Sequence, residues 1–272
     1  MNGLLIDWHA PWLAPLRDLR PHVEHAQWRA ALSAEARNRG VTTAQGLPIE
    51  FVAPDDAGSA AYEAHIAASG RVPTRENAHD LFNALAWLAF PRTKAALNAR
   101  QAAELARDGV RATRGPVRDA ATLIDESGLL LAADADVCAA LHRLDWTWLF
   151  GAQRKRWGGQ WMPFVFGHAL NEKLLAPYKG LTAVVVCLPS AGASQAQVDR
   201  AAAQWVQRTA LAPPLLAHLP VLGTPGWWAA NEAPEFYADT AVFRVARRAE
   251  PDAVRGRAAK GGRDVSSVGG GR

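Results

Sequence analysis

Arg75-Glu76-Asn77-Ala78-His79-Asp80-Leu81-Phe82-Asn83-Ala84-Leu85-Ala86-Trp87-Leu88-Ala89-Phe90, running into Pro91-Arg92-Thr93-Lys94, is the densest passage of the chain. Ala78, Leu81, Phe82, Leu85, Trp87 and Leu88 surround the segment almost completely with apolar surface, the mark of a buried helix. Thr74 offers a cap, Glu76 a first-turn carboxylate, and Pro91 a stop after Phe90. Thr93 is expected to cap a second helix over 94–107. Three polar residues interrupt the apolar surround: His79, Asp80 and Asn83. His79 and Asn83 stand four apart and share a face. Buried polar groups must find partners, so these residues either lock a structural network or line a cleft.

Working outward, a helix over 23–38 ends at Gly40, a short strand over 48–52 closes at Pro54-Asp55-Asp56, and a helix over 59–68 stops at Gly70. Beyond the dense passage, Arg114-Gly115-Pro116 reads as a turn. Ala121 to Leu131, with Asp125-Glu126-Ser127-Gly128 at its centre, reads as a β-hairpin. Helices are expected over 135–144, 145–156 and 164–175, a buried strand over 180–188, and a terminal strand over 240–245. Ser194-Gln195-Ala196-Gln197 is a capping box opening a helix to about Ala210. No βαβ rhythm runs through this order. The expected fold is α+β, a predominantly helical single domain with a β-hairpin and a few short strands.

Charge separates the body from its C-terminal end. The calculated pI is 9.4, yet residues 1–246 carry 23 charges of each sign, and the net +4 resides in 247–272. Residues 1–246 are expected to form the globular domain, and 247–272 a disordered basic Gly/Arg-rich tail. A neutral body has no footprint for phosphates, which argues against nucleic acid as its partner. Eleven Trp supply a large buried area, so a sizeable core needs no disulfide staples. Cys138 and Cys187 each sit in an apolar stretch and read as reduced core thiols, which fits a cytoplasmic location. No apolar run approaches the ~20 residues that cross a bilayer, and the first residues lack the basic start of a signal peptide.

A second helix repeats the polar-on-apolar arrangement. His168 follows Phe164-Val165-Phe166-Gly167, and Glu172 lies four residues on, on the same face. The two could hold one metal, or Glu172 could orient His168 as an acid/base. The spacing is half that of a zinc-protease helix and lacks its second His. Asp119, directly after Arg118, precedes the expected hairpin rather than occupying its turn. Arg92 and Lys94 flank a helix N-terminus, where backbone N–H groups and two cations could receive an anion, although an ordinary cap with solvated charges is the preferred reading. Trp227-Trp228, with Asn231, Phe236 and Tyr237 close by, could line a groove for a small molecule or peptide.

Five of these passages, in order, resemble an uncharacterised bacterial family. They are 73–85 with 90–94, Arg118-Asp119 with 122–128, Phe166-Gly167-His168-Ala169-Leu170-Asn171-Glu172-Lys173, and Leu219 to Trp228. The chain is identified as a member of the domain-of-unknown-function family numbered three-zero-two-five, over most of residues 48–246. The resemblance implies no activity, cofactor or fold.

The residues themselves support competing functions. In the first, a hydrolase-like enzyme uses His79, Asp80, Asn83, Asp119, His168 and Glu172. A divalent metal held by His79, Asp80, His168 and Glu172 would activate water. The adjacent His79-Asp80, with His65 upstream, is a thin likeness to the HD phosphohydrolases. In the second, the same groups form a structural network inside a non-enzymatic protein that binds a small molecule or peptide. The metal reading requires His79 and His168 to converge within about 5 Å beside a further carboxylate.

Overall fold

A computed structural model describes residues 4–54, 62–109, 115–189 and 191–245. The architecture is α+β and predominantly helical. After a 3-10 segment, Pro11–Leu19, come helices α1 (Arg20–Val23) and α2 (Trp28–Asn38), strand β1 (Glu50–Val52), helix α3 (Tyr62–Ser69) and strand β2 (Arg71–Pro73). Helices α4 (Ala78–Ala89), α5 (Pro91–Asp108) and α6 (Pro116–Ser127) follow, and α6 runs directly into strand β3 (Gly128–Ala133). The remainder holds α7 (Ala135–His142), β4 (Met162–Val165), α8 (His168–Lys173), β5 (Thr182–Pro189), α9 (Gln195–Arg208) and β6 (Ala217–Pro220).

The core is built on a sheet of order β4-β3-β5-β6. β3 pairs parallel with β5 and antiparallel with β4, and β5 pairs antiparallel with β6. Every residue of β3 is buried, which its unbroken apolar run Leu129-Leu130-Leu131-Ala132-Ala133 anticipates for a strand covered on both faces. β1 and β2 form a separate parallel pair, with Glu50 opposite Arg71. The N-terminal aromatic segment packs on the body of its own chain: Trp8, Trp12, Leu13, Leu16 and Leu19 are buried in the common core. Cys138 and Cys187 are half-buried free thiols.

Several expectations need correction. The hairpin over 121–131 is instead the second half of α6 followed by β3. Pro116 at the first helical position and Asp119 in the first turn start a helix that buries Ala120, Ala121 and Ile124. Asp125-Glu126-Ser127 carries turn chemistry, but it closes that helix. Phe164-Val165 belongs to β4, so the helix expected over 164–175 is only α8. The strand expected over 240–245 is a turn. Thr74 does not cap α4. Asn77 does, accepting a hydrogen bond from the Asp80 N–H at 2.7 Å, while the Thr74 hydroxyl donates to the Val72 carbonyl. The start of the helix expected at residue 59, part of the turn at 114–116 and the tail at 247–272 lie outside the described residues.

Gly167 fixes where α8 begins. Phe166 N–H and Gly167 N–H both donate to the Gly128 carbonyl, at 3.0 and 2.8 Å. A Cβ on Gly167 would lie 2.5 Å from the Glu126 carbonyl oxygen and the Gly128 nitrogen, so only glycine permits the approach. The contact lays the first residue of α8, His168, beside the last turn of α6. Among the described residues, no helix is long and apolar enough to cross a membrane.

Candidate functional site: a carboxylate-backed histidine pair

α4, α6 and α8 converge so that His79, in the first turn of α4, meets His168. The two Nε2 atoms are 3.0 Å apart, with ring planes at 83° and centroids 4.4 Å apart. Each imidazole has a carboxylate behind it. His79 Nδ1 is 2.9 Å from Glu172 Oε2, and His168 Nδ1 is 3.7 Å from Asp125 Oδ2. The four-residue spacing of His168 and Glu172 brings both to His79 from one face of α8. His168 is buried, with an 8% exposed side chain, whereas that of His79 is 38% exposed.

Asp125 leads into a polar string that is buried at Lys94 and Asn83 and reaches the surface at Tyr62. Its Oδ1 accepts from Lys94 Nζ at 2.6 Å, and Lys94 also donates to Asn83 Oδ1 at 2.7 Å. Asn83 Nδ2 in turn donates to the Tyr62 hydroxyl at 2.8 Å. The ammonium lies 5.5 Å from the centroid of the Trp87 ring. Burial alone would raise the Asp125 pKa, but the adjacent Lys94 ammonium and the imidazoles hold its carboxyl below the ordinary range. Burial pushes His168 down to about 4, against the pull of Asp125, so this ring is neutral at neutral pH. Glu63 is pushed up by burial and then by the charge of Asp125, although Lys94 and Asn98 oppose the shift.

The pair borders a cavity of about 580 Å³, lined also by Tyr62, Glu63, Arg75, Gln101, Arg118 and Glu126. His65 of α3 lines it too. Asp80 reaches this cavity but is committed to Arg75, accepting from its backbone N–H at 2.7 Å and from its guanidinium at 3.0 and 3.1 Å.

A family model described as "Protein of unknown function (DUF3025)" matches residues 49–247. The chain belongs to that family. The match takes in every residue of the string from Tyr62 to Glu172 and leaves out Trp8 and Trp12. No curated protein and no solved structure matches the chain.

Not every sequence-predicted residue of this DUF3025 chain reaches the cleft. His79, Asn83, His168 and Glu172 come together, and Asp80 lines the same cavity at its ion pair with Arg75. Asp119 lies in the first turn of α6 and does not line the cavity. The anion-receiving helix start at Arg92 is filled by the protein itself. Asp199 of α9 accepts from the Arg92 and Thr93 N–H groups, at 3.1 and 2.8 Å, and from the Thr93 hydroxyl at 2.7 Å. Lys94 points the other way, into the polar string. Trp227 and Trp228 pack against the core, Trp227 edge-on to Trp12 at 6.3 Å, and neither lines the cavity. His79, Asp80, His168 and Glu172 do not form one coordination shell. Among the described residues, no three His, Cys, Asp or Glu converge as a metal site. Sequence reasoning passed over Asp125 as a turn former and did not single out Tyr62, Glu63 or Gln101. The signal that could have found Asp125 is its place four residues after buried Ala121, on the inward face of a helix.

Proposed function

We propose that the cleft is the active site of a hydrolytic enzyme that activates water at the His79–His168 pair. One observation carries the reading: two imidazoles meet through Nε2 at the edge of a cavity, and each faces a carboxylate through Nδ1. A carboxylate behind an imidazole fixes its tautomer and raises the basicity of the opposite nitrogen. The neutral state of His168 keeps an electron pair available for that work. The cavity volume suits a small molecule. Its charges are close to balanced and favour an uncharged substrate, because Arg75 is paired with Asp80, Glu126 lines the cavity together with Arg118, and burial pushes the Glu63 carboxyl toward its neutral form. Esters and amides therefore fit better than phosphoesters.

The test is a panel of uncharged esters and amides beside phosphoesters, with wild type, His79→Ala and His168→Gln. The expected result is turnover of an uncharged ester or amide, falling at least ~100-fold in each variant. Turnover that persists in both variants would overturn the proposal. The satisfied string Lys94–Asn83–Tyr62 favours a second reading, a non-enzymatic binding protein in which these groups serve stability. That reading expects a folded protein that binds a small molecule and turns over nothing.

We also propose a reducing, cytoplasmic location, on the strength of two free half-buried thiols. Alkylation of protein from its native source should count two thiols. A Cys138–Cys187 disulfide in that material would contradict the location.

A further inference from the structure

We infer that His79 and His168 hold a divalent transition-metal ion between their Nε2 atoms. The inference rests on the reading of the cleft as a water-activating site and states how the water is activated. Its basis is a conflict between two neutral rings when the His79 Nδ1 proton is held by Glu172. If His79 Nδ1–H donates to Glu172, its Nε2 carries a lone pair. His168 then has two neutral tautomers. With the proton on Nε2, it donates to His79 and leaves a bare, buried Nδ1 facing Asp125. With the proton on Nδ1, that N–H points at Asp125 and two lone pairs face each other across 3.0 Å. Consistent with either defect, His168 Nδ1 is buried with no hydrogen-bond partner among the described residues. A cation on the two Nε2 atoms removes both defects at once. Each Nδ1 keeps its proton toward a carboxylate, and each Nε2 lone pair faces positive charge, the usual support of a metal-bound histidine.

The ring geometry points the same way. A head-on N–H···N bond of 3.0 Å would put the ring centroids about 5.3 Å apart, whereas rings aimed at one ion at ordinary metal–nitrogen distances would put them about 4.7 Å apart. The observed 4.4 Å is shorter than either and lies nearer the second. At such distances the two nitrogens subtend roughly 95° at the ion, close to the angle between neighbouring ligands of an octahedral site. Imidazole donors select zinc and its neighbours over magnesium or calcium. Two protein ligands leave the remaining positions to water and substrate on the cavity side, so the ion would lower the pKa of the water that attacks. With two ligands, the affinity should be weaker than that of a three-ligand catalytic site.

The experiment is titration of chelator-stripped, full-length protein with Zn²⁺ by calorimetry and with Co²⁺ by visible absorption. The variants are His79→Ala, His168→Ala, Glu172→Gln and, as a control on exposed histidine, His218→Ala. Wild type and His218→Ala should bind one equivalent and show a cobalt ligand-field band. His79→Ala and His168→Ala should lose both. Glu172→Gln, which keeps the ligands and removes only the support behind His79, should bind about 10–100-fold more weakly, so the test survives a misfolded His variant. Equal binding by wild type and Glu172→Gln, or no binding by the wild type, overturns the inference. The two proposals fail separately. Metal binding without hydrolysis sinks the enzyme and leaves the site, whereas hydrolysis by stripped protein that binds no metal does the reverse.

Discussion

Asp199 and His168 are both buried polar residues at helix junctions, and the chain treats them in opposite ways. Asp199, 3% exposed, spends its carboxylate on two N–H groups and one hydroxyl at the start of α5, all supplied by the protein. His168, 6% exposed, has one ring nitrogen on another imidazole, the other without a hydrogen-bond partner among the described residues, and a cavity beside it. Burial of a polar group therefore does not distinguish structure from function. An unsatisfied ring nitrogen beside a cavity, as at His168, is the stronger mark of function. Asp199 also borders a cavity, of about 780 Å³, but its carboxylate is already taken up by the start of α5. The histidine pair stays under-satisfied where a ligand can reach it.

The sharpest way to break this contrast is to unbalance the string behind the pair. Lys94→Met removes the ammonium bonded to Asp125 and leaves a buried carboxylate facing only His168 at 3.7 Å. The expected loss is about 3–5 kcal/mol of unfolding free energy by denaturant titration, because the penalty of the stranded charge adds to the lost pair. Lys94→Met/Asp125→Asn should recover part of it. A loss below about 1 kcal/mol would mean that water reaches Asp125 and that the string is no lock.

Next in size is Asp199→Ala, with an expected cost of about 2–3 kcal/mol, since it strands two N–H groups and a hydroxyl at a buried helix start. Metal binding and turnover at the cleft should not change. A cleft defect in this variant would show that the two junctions are coupled.

The third test is pH. His168 titrates near 4 in the folded protein against an ordinary value of 6.5, so between those values the unfolded chain binds more protons. Its contribution is complete above pH 6.5 and is lost as pH falls toward 4, on the order of 2 kcal/mol. Asp125, whose folded pKa is depressed, adds a further loss below the ordinary carboxylate range. In chelator-stripped protein, the melting temperature of wild type should fall over this window more steeply than that of His168→Gln. Parallel curves would mean that His168 is solvated.

Much of the frame is visible in the sequence because local chemistry writes it. Pro91 marks the α4–α5 boundary, and the Ser194 N–H donates to the Gln197 side chain at 2.9 Å as the capping box requires. The unbroken run in β5 is another example. α6 is not visible, since Asp125-Glu126-Ser127-Gly128 has the same composition whether it turns a hairpin or ends a helix. Neither is the parallel pairing of β3 with β5, which depends on segments some fifty residues apart. The site divides along the same line. His79, His168 and Glu172 stand out as polar residues at helical spacing on apolar helices. Lys94 in a first helical turn reads as a solvated cation, and only the approach of α6 turns it inward to Asp125.

Trp227 gives the smallest expected effect and the cleanest contrast with the cleft. As one of an adjacent aromatic pair in a loop, it has the composition of a ligand platform. In the folded chain it is half-buried and lies edge-on to Trp12 at 60°, fastening the N-terminal segment to the body. An aromatic pair of this kind contributes about 0.5–1.5 kcal/mol beyond its buried area, and phenylalanine keeps part of that contact. Trp227→Phe should therefore cost about 1 kcal/mol or less in denaturant titration. It should leave cobalt binding and ester turnover at wild-type levels, because no part of the indole lines the cavity. A variant of unchanged stability that loses turnover would move the functional site from the histidine pair to the Trp227 loop.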